Sequence, residues 1–154
     1  MMNALKIIFT GLFLLLFQSK VSGQAFKLEE LAAFNTMDMA SFKTEIKKHQ
    51  YKFYDKIESA DYHLYEYESP DYTYKIAKFE YTGEKADDRI EFSFKSKKDY
   101  EFYLKDVLAT GYKQAEKGKI ITGENYTDYF KDKSQIRIVQ PKTAQDTYTI
   151  LVFK

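Results

Sequence analysis

The spacing of apolar residues changes several times along this chain. Residues 7–17 are an almost unbroken run of Ile, Leu and Phe. Phe26, Leu28, Leu31 and Phe34 then recur at helical spacing, and this predicts one or two turns of helix around Leu-Glu-Glu-Leu-Ala-Ala-Phe. Met39, Phe42 and Ile46 follow at i, i+3 and i+7, with Lys43, Glu45, Lys47 and Lys48 on other faces. That pattern predicts an amphipathic helix of about three turns, for which Asp38 or Thr36 is a candidate N-cap. From Tyr51 the period drops to two, and residues 51–57, 62–68, 72–81 and 89–95 read as strands. The last is the cleanest, because Ile90, Phe92 and Phe94 alternate with Arg89, Glu91, Ser93 and Lys95. One of its faces should pack and the other be solvated. Ser69-Pro70-Asp71 is a turn, and residues 82–88 form a longer polar loop.

Ser96, with Asp99 three positions later, marks the start of another helix, spanning 97–110. Tyr100, Tyr103, Leu104, Val107 and Leu108 make its apolar stripe, and Gly111 supplies a left-handed stop. Strands are expected again at 119–122, 125–130, 135–140 and 147–153, with a polar loop at 141–146. A shift of 61 residues carries Met39, Phe42 and Ile46 onto Tyr100, Tyr103 and Val107, Tyr51-Lys52 onto Tyr112-Lys113, and Tyr65 onto Tyr126. The match degrades in the final strands unless gaps are allowed. It reads equally as a duplication, with half-repeats 36–95 and 96–154, or as two amphipathic units obeying the same packing rules. Both give an α+β fold in which helices pack on one face of an antiparallel sheet, in two α-β-β-β(-β) halves.

The apolar run at 7–17 sits between a start carrying Lys6 and the sequence Val21-Ser22-Gly23. It is too short to span a bilayer as a helix, and its layout is that of a cleavable signal peptide covering 1–23. The expected product is a single domain, 24–154, released into the periplasm or outside the cell without a membrane anchor. Loss of Lys6 and Lys20 takes the 24 basic side chains to 22, against 23 acidic ones. A chain so close to neutral has no field to gather nucleic acid. It has no cysteine. Disulfides, thiol nucleophiles and a lipidated residue after the signal are therefore excluded.

The order Leu28-Glu-Glu-Leu31, Tyr51, Lys78-Phe-Glu-Tyr81, Ser96-Lys-Lys-Asp-Tyr100, Gly111-Tyr-Lys113 and Tyr148-Thr-Ile150 resembles small exported proteins of Bacteroidota-type bacteria. The resemblance covers most of the mature chain. It implies compartment and fold and brings no active-site residues. The helix-plus-sheet repeat is also similar, at the level of fold, to inhibitors of the β-lactamase inhibitory protein type and to PepSY-like modules. Fold likeness leaves function to be argued from a site.

Catalytic signatures are missing from the pattern. His49 and His63 are the only imidazoles. Neither lies in a metal-binding or catalytic motif, so no metal site is expected. The serines include no Gly-x-Ser-x-Gly elbow, the glycines no phosphate-binding loop, and the carboxylates no singled-out pair. No catalytic residue and no cofactor are expected. The remaining constellation is aromatic: all 14 tyrosines lie after residue 23. Tyr62, Tyr65, Tyr67, Tyr72 and Tyr74 flank the Pro70 turn. If their faces coincide away from the helices they form a platform for a partner; if they point beneath the helices they are core. The reading favoured by the sequence is a non-enzymatic module that binds a protein or peptide of the cell envelope. A small-ligand or glycan-binding protein is the alternative, and a hydrolase with an unrecognised carboxylate pair a more remote one. Mass spectrometry of the exported protein should find Gln24 as its first residue; retention of Met1 would overturn the signal assignment.

Overall fold

The computed structural model describes residues 25–83 and 86–153. The signal segment expected over 1–23 lies outside the described residues. Among the described residues three helices and eight strands follow one another as α1 (Leu28–Thr36), α2 (Met39–Lys48), β1 (Lys52–Glu58), β2 (Tyr62–Glu68), β3 (Tyr74–Tyr81), β4 (Arg89–Phe94), α3 (Lys97–Ala109), β5 (Lys113–Lys119), β6 (Asn125–Lys131), β7 (Ser134–Val139) and β8 (Tyr148–Phe153). The strands form one open antiparallel sheet in the order β1-β2-β3-β4-β8-β7-β6-β5. Among the described residues no helix is long and apolar enough to cross a membrane.

Local chemistry sets each helix. Glu30 reaches back to the Lys27 amide at 2.7 Å, and Glu29 and Glu30 place negative charge at the start of α1. Asp38 caps α2 by accepting from the Ser41 amide at 2.7 Å. That bond also holds its carboxyl below the usual range. Thr36 is not the cap, because its hydroxyl turns back to the Ala33 carbonyl. Ser96 caps α3 by accepting from the Asp99 amide, and Gly111, at φ 93°, takes the left-handed conformation that follows the helix.

Phe26 before α1, the helix residues Leu31, Phe34, Phe42, Ile46, Tyr103 and Val107, and the strand residues Tyr67, Ile76, Ile90, Phe92, Phe94, Ile136, Ile138, Ile150 and Val152 are buried together in one cluster. Helix-borne rings meet sheet-borne rings at Phe42–Tyr67, 5.9 Å, and Tyr103–Phe94, 5.3 Å. The register joins Tyr67 to Ile76, Ile76 to Phe92, Phe92 to Ile150 and Ile150 to Ile138. These side chains therefore share a face of the sheet.

Lys78 is the unusual member of that face. It pairs with Ile90 across the ladder and is only 1% exposed. Its ammonium donates to the carbonyls of Phe34 and Asn35 at 3.3 and 3.2 Å and lies 3.8 Å from Glu80. A buried cation thus meets the negative end of α1, where helix carbonyls lack partners of their own. Asn35 adds a donor to the Val152 carbonyl at 3.0 Å.

Two expectations fail. The strand placed at 119–122 is displaced to Lys113–Lys119, and residues 120–124 are its turn, closed by the Gly123 amide on the Ile120 carbonyl. Lys113–Lys119 carries no large apolar side chain, so the strand pattern in the sequence begins only at Ile120 and Ile121. Leu108, expected on the buried stripe of α3, is 51% exposed, because the stripe centres on Tyr103 and Val107. Gaps are also needed earlier than the final strands. Tyr65 pairs with Lys78 and shares the core face, whereas Tyr126 pairs with Val139 on the other.

Lys78→Met should cost about 2 kcal/mol, since it leaves buried carbonyls without their charged donor. Urea unfolding measures this. Unchanged or increased stability would mean that the cost of burying the ammonium outweighs its bonds.

Candidate functional site

Strand alternation defines a second face, opposite Phe92 and Ile150. It carries Tyr62, Leu64, Glu66 and Glu68 of β2, Lys75, Ala77, Phe79 and Tyr81 of β3, and Arg89, Glu91 and Ser93 of β4. Thr149, Leu151 and Phe153 of β8, Arg137 and Val139 of β7, and Tyr126 and Asp128 of β6 complete it.

Two arginines organise this surface. The Arg89 guanidinium lies 3.9 Å from the Phe79 ring centre and 5.5 Å from that of Tyr81. Its Nε donates to Glu91 at 2.6 Å and its Nη1 to the Tyr81 hydroxyl at 2.5 Å. Burial works against the charge, but the Glu91 carboxylate and the Tyr81 hydroxyl together outweigh it and strengthen the proton's hold. Tyr62 lies beside the same rings, 6.0 Å from Phe79 and 5.7 Å from Tyr81.

Arg137 repeats the arrangement in the other half of the sheet. It forms a bidentate pair with Asp128 at 2.7 and 2.8 Å and lies 3.8 Å from the Tyr126 ring centre. The hydrogen bond to Asp128 raises its pKa. Gly118 makes room for that ring, since a Cβ there would fall 2.8 Å from Tyr126. An edge glycine covered by a cross-strand aromatic is a known stabilising device. Between the arginines lies a cavity of about 350 Å³ with apolar walls from Ile120, Val139, Leu151 and Phe153.

Both guanidiniums are thus held on two sides, by a carboxylate and by a ring, which fixes long side chains in one geometry. Elsewhere on this face burial pushes the Glu66 carboxyl up while Lys75 opposes the shift. Lys75 itself pairs with Glu68 at 3.6 Å and lies 3.5 Å from the Tyr54 ring centre.

The five sequence-predicted tyrosines are divided rather than gathered. Tyr67 is core at 2% exposure, against Phe42. Tyr65 shares its face, half-buried, with the Lys43 ammonium 3.2 Å from its ring centre and its hydroxyl on Glu58. Tyr74 stacks on Phe92 at 5.4 Å and donates to Asp99. Burial, then the Asp99 charge, pushes its phenol up to about 12. Tyr62 stands on the opposite face with Arg89, and Tyr72 sits in the turn before β3 with 73% of its surface exposed.

The sequence pattern singles out none of Arg89, Arg137, Phe79, Tyr81, Glu91 and Asp128 as a site, although it puts Arg89 and Glu91 on the solvated face of their strand. A usable signal was present for some of them. Arg89 and Glu91 are two apart on a strand, and Asp128 and Arg137 are symmetric about the 131–134 turn, so a hairpin there makes them neighbours. His49 packs edge-on to Phe26 at 5.0 Å and lies 3.8 Å from Glu45, and His63 is an exposed position of β2. Among the described residues no group of three or more His, Cys, Asp or Glu could hold a metal ion. No family model, no curated protein and no solved structure matches the chain.

Asp128→Ala should destabilise by about 2 kcal/mol, because Asp128 is 2% exposed and its removal leaves Arg137 without its carboxylate. Thermal unfolding checks this; no loss would show that the pair contributes nothing to the fold.

Proposed function

We propose that this chain is an exported, non-enzymatic binding module, working as residues 24–154 after removal of 1–23, and that it takes a protein or peptide partner on the sheet face of Arg89 and Arg137. In this reading the helices cover the face of Phe92 and Ile150, and the two halves are related units joined where β4 meets β8. The order of the strands supports that relation, since β1 to β4 run inward from one edge and β5 to β8 inward from the other. The far face is then left to solvent and to a partner, in the periplasm or outside the cell.

The observation that carries the reading is the pair of arginines locked onto aromatic rings on either side of an apolar hollow. Arginine and tyrosine dominate the energetically important centres of protein interfaces, and side chains already held in place lose less entropy on binding. The sheet edges are poorer candidates. β1 is bulged between Phe53 and Asp55 and β5 between Gln114 and Lys117, and lysines punctuate both strands. Bulges and edge lysines are the features by which sheets resist strand addition.

A photo-crosslinking residue at position 151, compared with one at exposed position 101 on α3, tests the face directly. Adducts with envelope proteins should form at 151 and not at 101. Arg137→Ala should weaken capture about tenfold, which corresponds to ~1.4 kcal/mol. Equal labelling from both positions, or no protein adduct at all, would overturn the proposal.

A further inference from the structure

A second cavity lies away from the arginines, at the end of the sheet where the β2–β3 turn faces the junction of β4 with α3. Its volume is about 710 Å³, and Glu68, Tyr72, Tyr74, Lys75, Ser93 and Thr147 are among its walls. That volume is in the range of small-molecule sites, roughly 300–1,000 Å³.

Tyr72 is the residue that calls for explanation. Its φ of 59° places a bulky side chain in the left-handed region, where glycine or asparagine is the usual occupant. The turn is not loosely built. The Ser69 side chain is fully buried and receives the Tyr74 amide at 2.9 Å while donating to Asp71 at 2.7 Å, and the Tyr72 amide donates to the Ser69 carbonyl. A well-held turn therefore keeps an aromatic ring in an unfavourable conformation, although the ring is 73% exposed. Packing within the chain does not reward that choice. Residues kept in such conformations cluster at functional sites.

The walls say what the ring would meet. Tyr74 is fixed by its stacking on Phe92 and its bond to Asp99. Glu68 offers acceptors and Lys75 donors from a cross-strand pair, the Thr147 hydroxyl offers both, and the Ser93 hydroxyl, which shares a hydrogen bond with Thr149 at 2.9 Å, keeps acceptor capacity. An exposed ring face beside closely mixed donors and acceptors suits a ligand with an apolar C–H face and a rim of hydroxyls. We infer that this cleft is a carbohydrate-binding site, in which a pyranose ring stacks on Tyr72 and its hydroxyls bond to Glu68, Lys75 and Ser93.

The test is an NMR titration of the purified chain with four probes: N,N′,N″-triacetylchitotriose, laminaritriose, xylotriose and trigalacturonate. At least one should give saturable shifts centred on the amides of Tyr72, Lys75 and Ser93, with a dissociation constant in the millimolar range or tighter. Tyr72→Asn, which tolerates the left-handed backbone, should keep the unfolding midpoint and abolish binding. Tyr72→Phe should bind like the parent, and Glu68→Gln should bind about tenfold more weakly, as expected for loss of a charged hydrogen bond. Saturation by none of the four probes, or unchanged binding by Tyr72→Asn, would overturn the inference. The crosslinks from position 151 report on a different part of the sheet, so failure there and failure here are separately visible.

Discussion

Strands β4 and β8 come from opposite halves of the chain and meet through Cα pairs running from Arg89–Phe153 to Phe94–Tyr148. Every other neighbouring pair of strands in the sheet is consecutive in sequence. This long-range seam makes one eight-stranded sheet from two four-stranded meanders, and its core face is closed to solvent: Ile90, Phe92 and Ile150 have no exposed surface and Phe94 and Val152 almost none. Closing such a loop costs entropy before the contact offsets it. The apolar area buried at Phe92, Phe94, Ile150 and Val152, at about 25 cal/mol per Å², is what makes that closure favourable.

Strand parity then divides the chemistry between two faces. Alternate residues of the same two strands supply Phe92 and Ile150 to the core and Arg89, Glu91 and Leu151 to the other side. A slip of one residue in the seam would exchange these sets, so the register of the core also fixes the arginine surface. Charges occur on both faces but are handled differently. Lys78 is buried against the end of α1 and contributes by satisfying carbonyls, while Arg89 and Arg137 keep part of their surface open and are held by Glu91 and Asp128. An exposed ion pair alone contributes little to stability. The Arg89–Glu91 and Arg137–Asp128 pairs are partly buried and each laid on a ring, so beyond any contribution to the fold they set the shape of this surface before a partner arrives.

Much of the fold was legible in local pattern. The caps at Asp38 and Ser96, the stop at Gly111 and the strand at 62–68 follow from rules that act within a few residues. The edge strand β5 was not legible, because its residues Lys113–Lys119 include no large apolar side chain to mark an alternation, whereas the equally exposed β1 carries Phe53, Tyr54 and Ile57. Lys78 was passed over for a related reason. A lysine in a strand reads as solvent-facing, although its parity with Ile76 assigns it to the core face. The candidate surface was the least legible part. Tyr65, Tyr67 and Tyr74 drew attention by composition but went to the core side, while Arg89 and Phe79 are adjacent only through strand pairing, which no local spacing specifies. Tyr62 and Tyr72 are the two members of the predicted cluster that stand away from the core, one beside Arg89 and one at the mouth of the end cleft.

Amide hydrogen exchange tests the claim that the β4–β8 seam holds both faces together. The amides of β4 and β8 should be the slowest in the molecule and should open only when the whole domain unfolds, while those of β1 and β5 exchange by local opening. Exchange of β4 and β8 as fast as that of the edge strands, or separate opening of the two halves, would contradict the account.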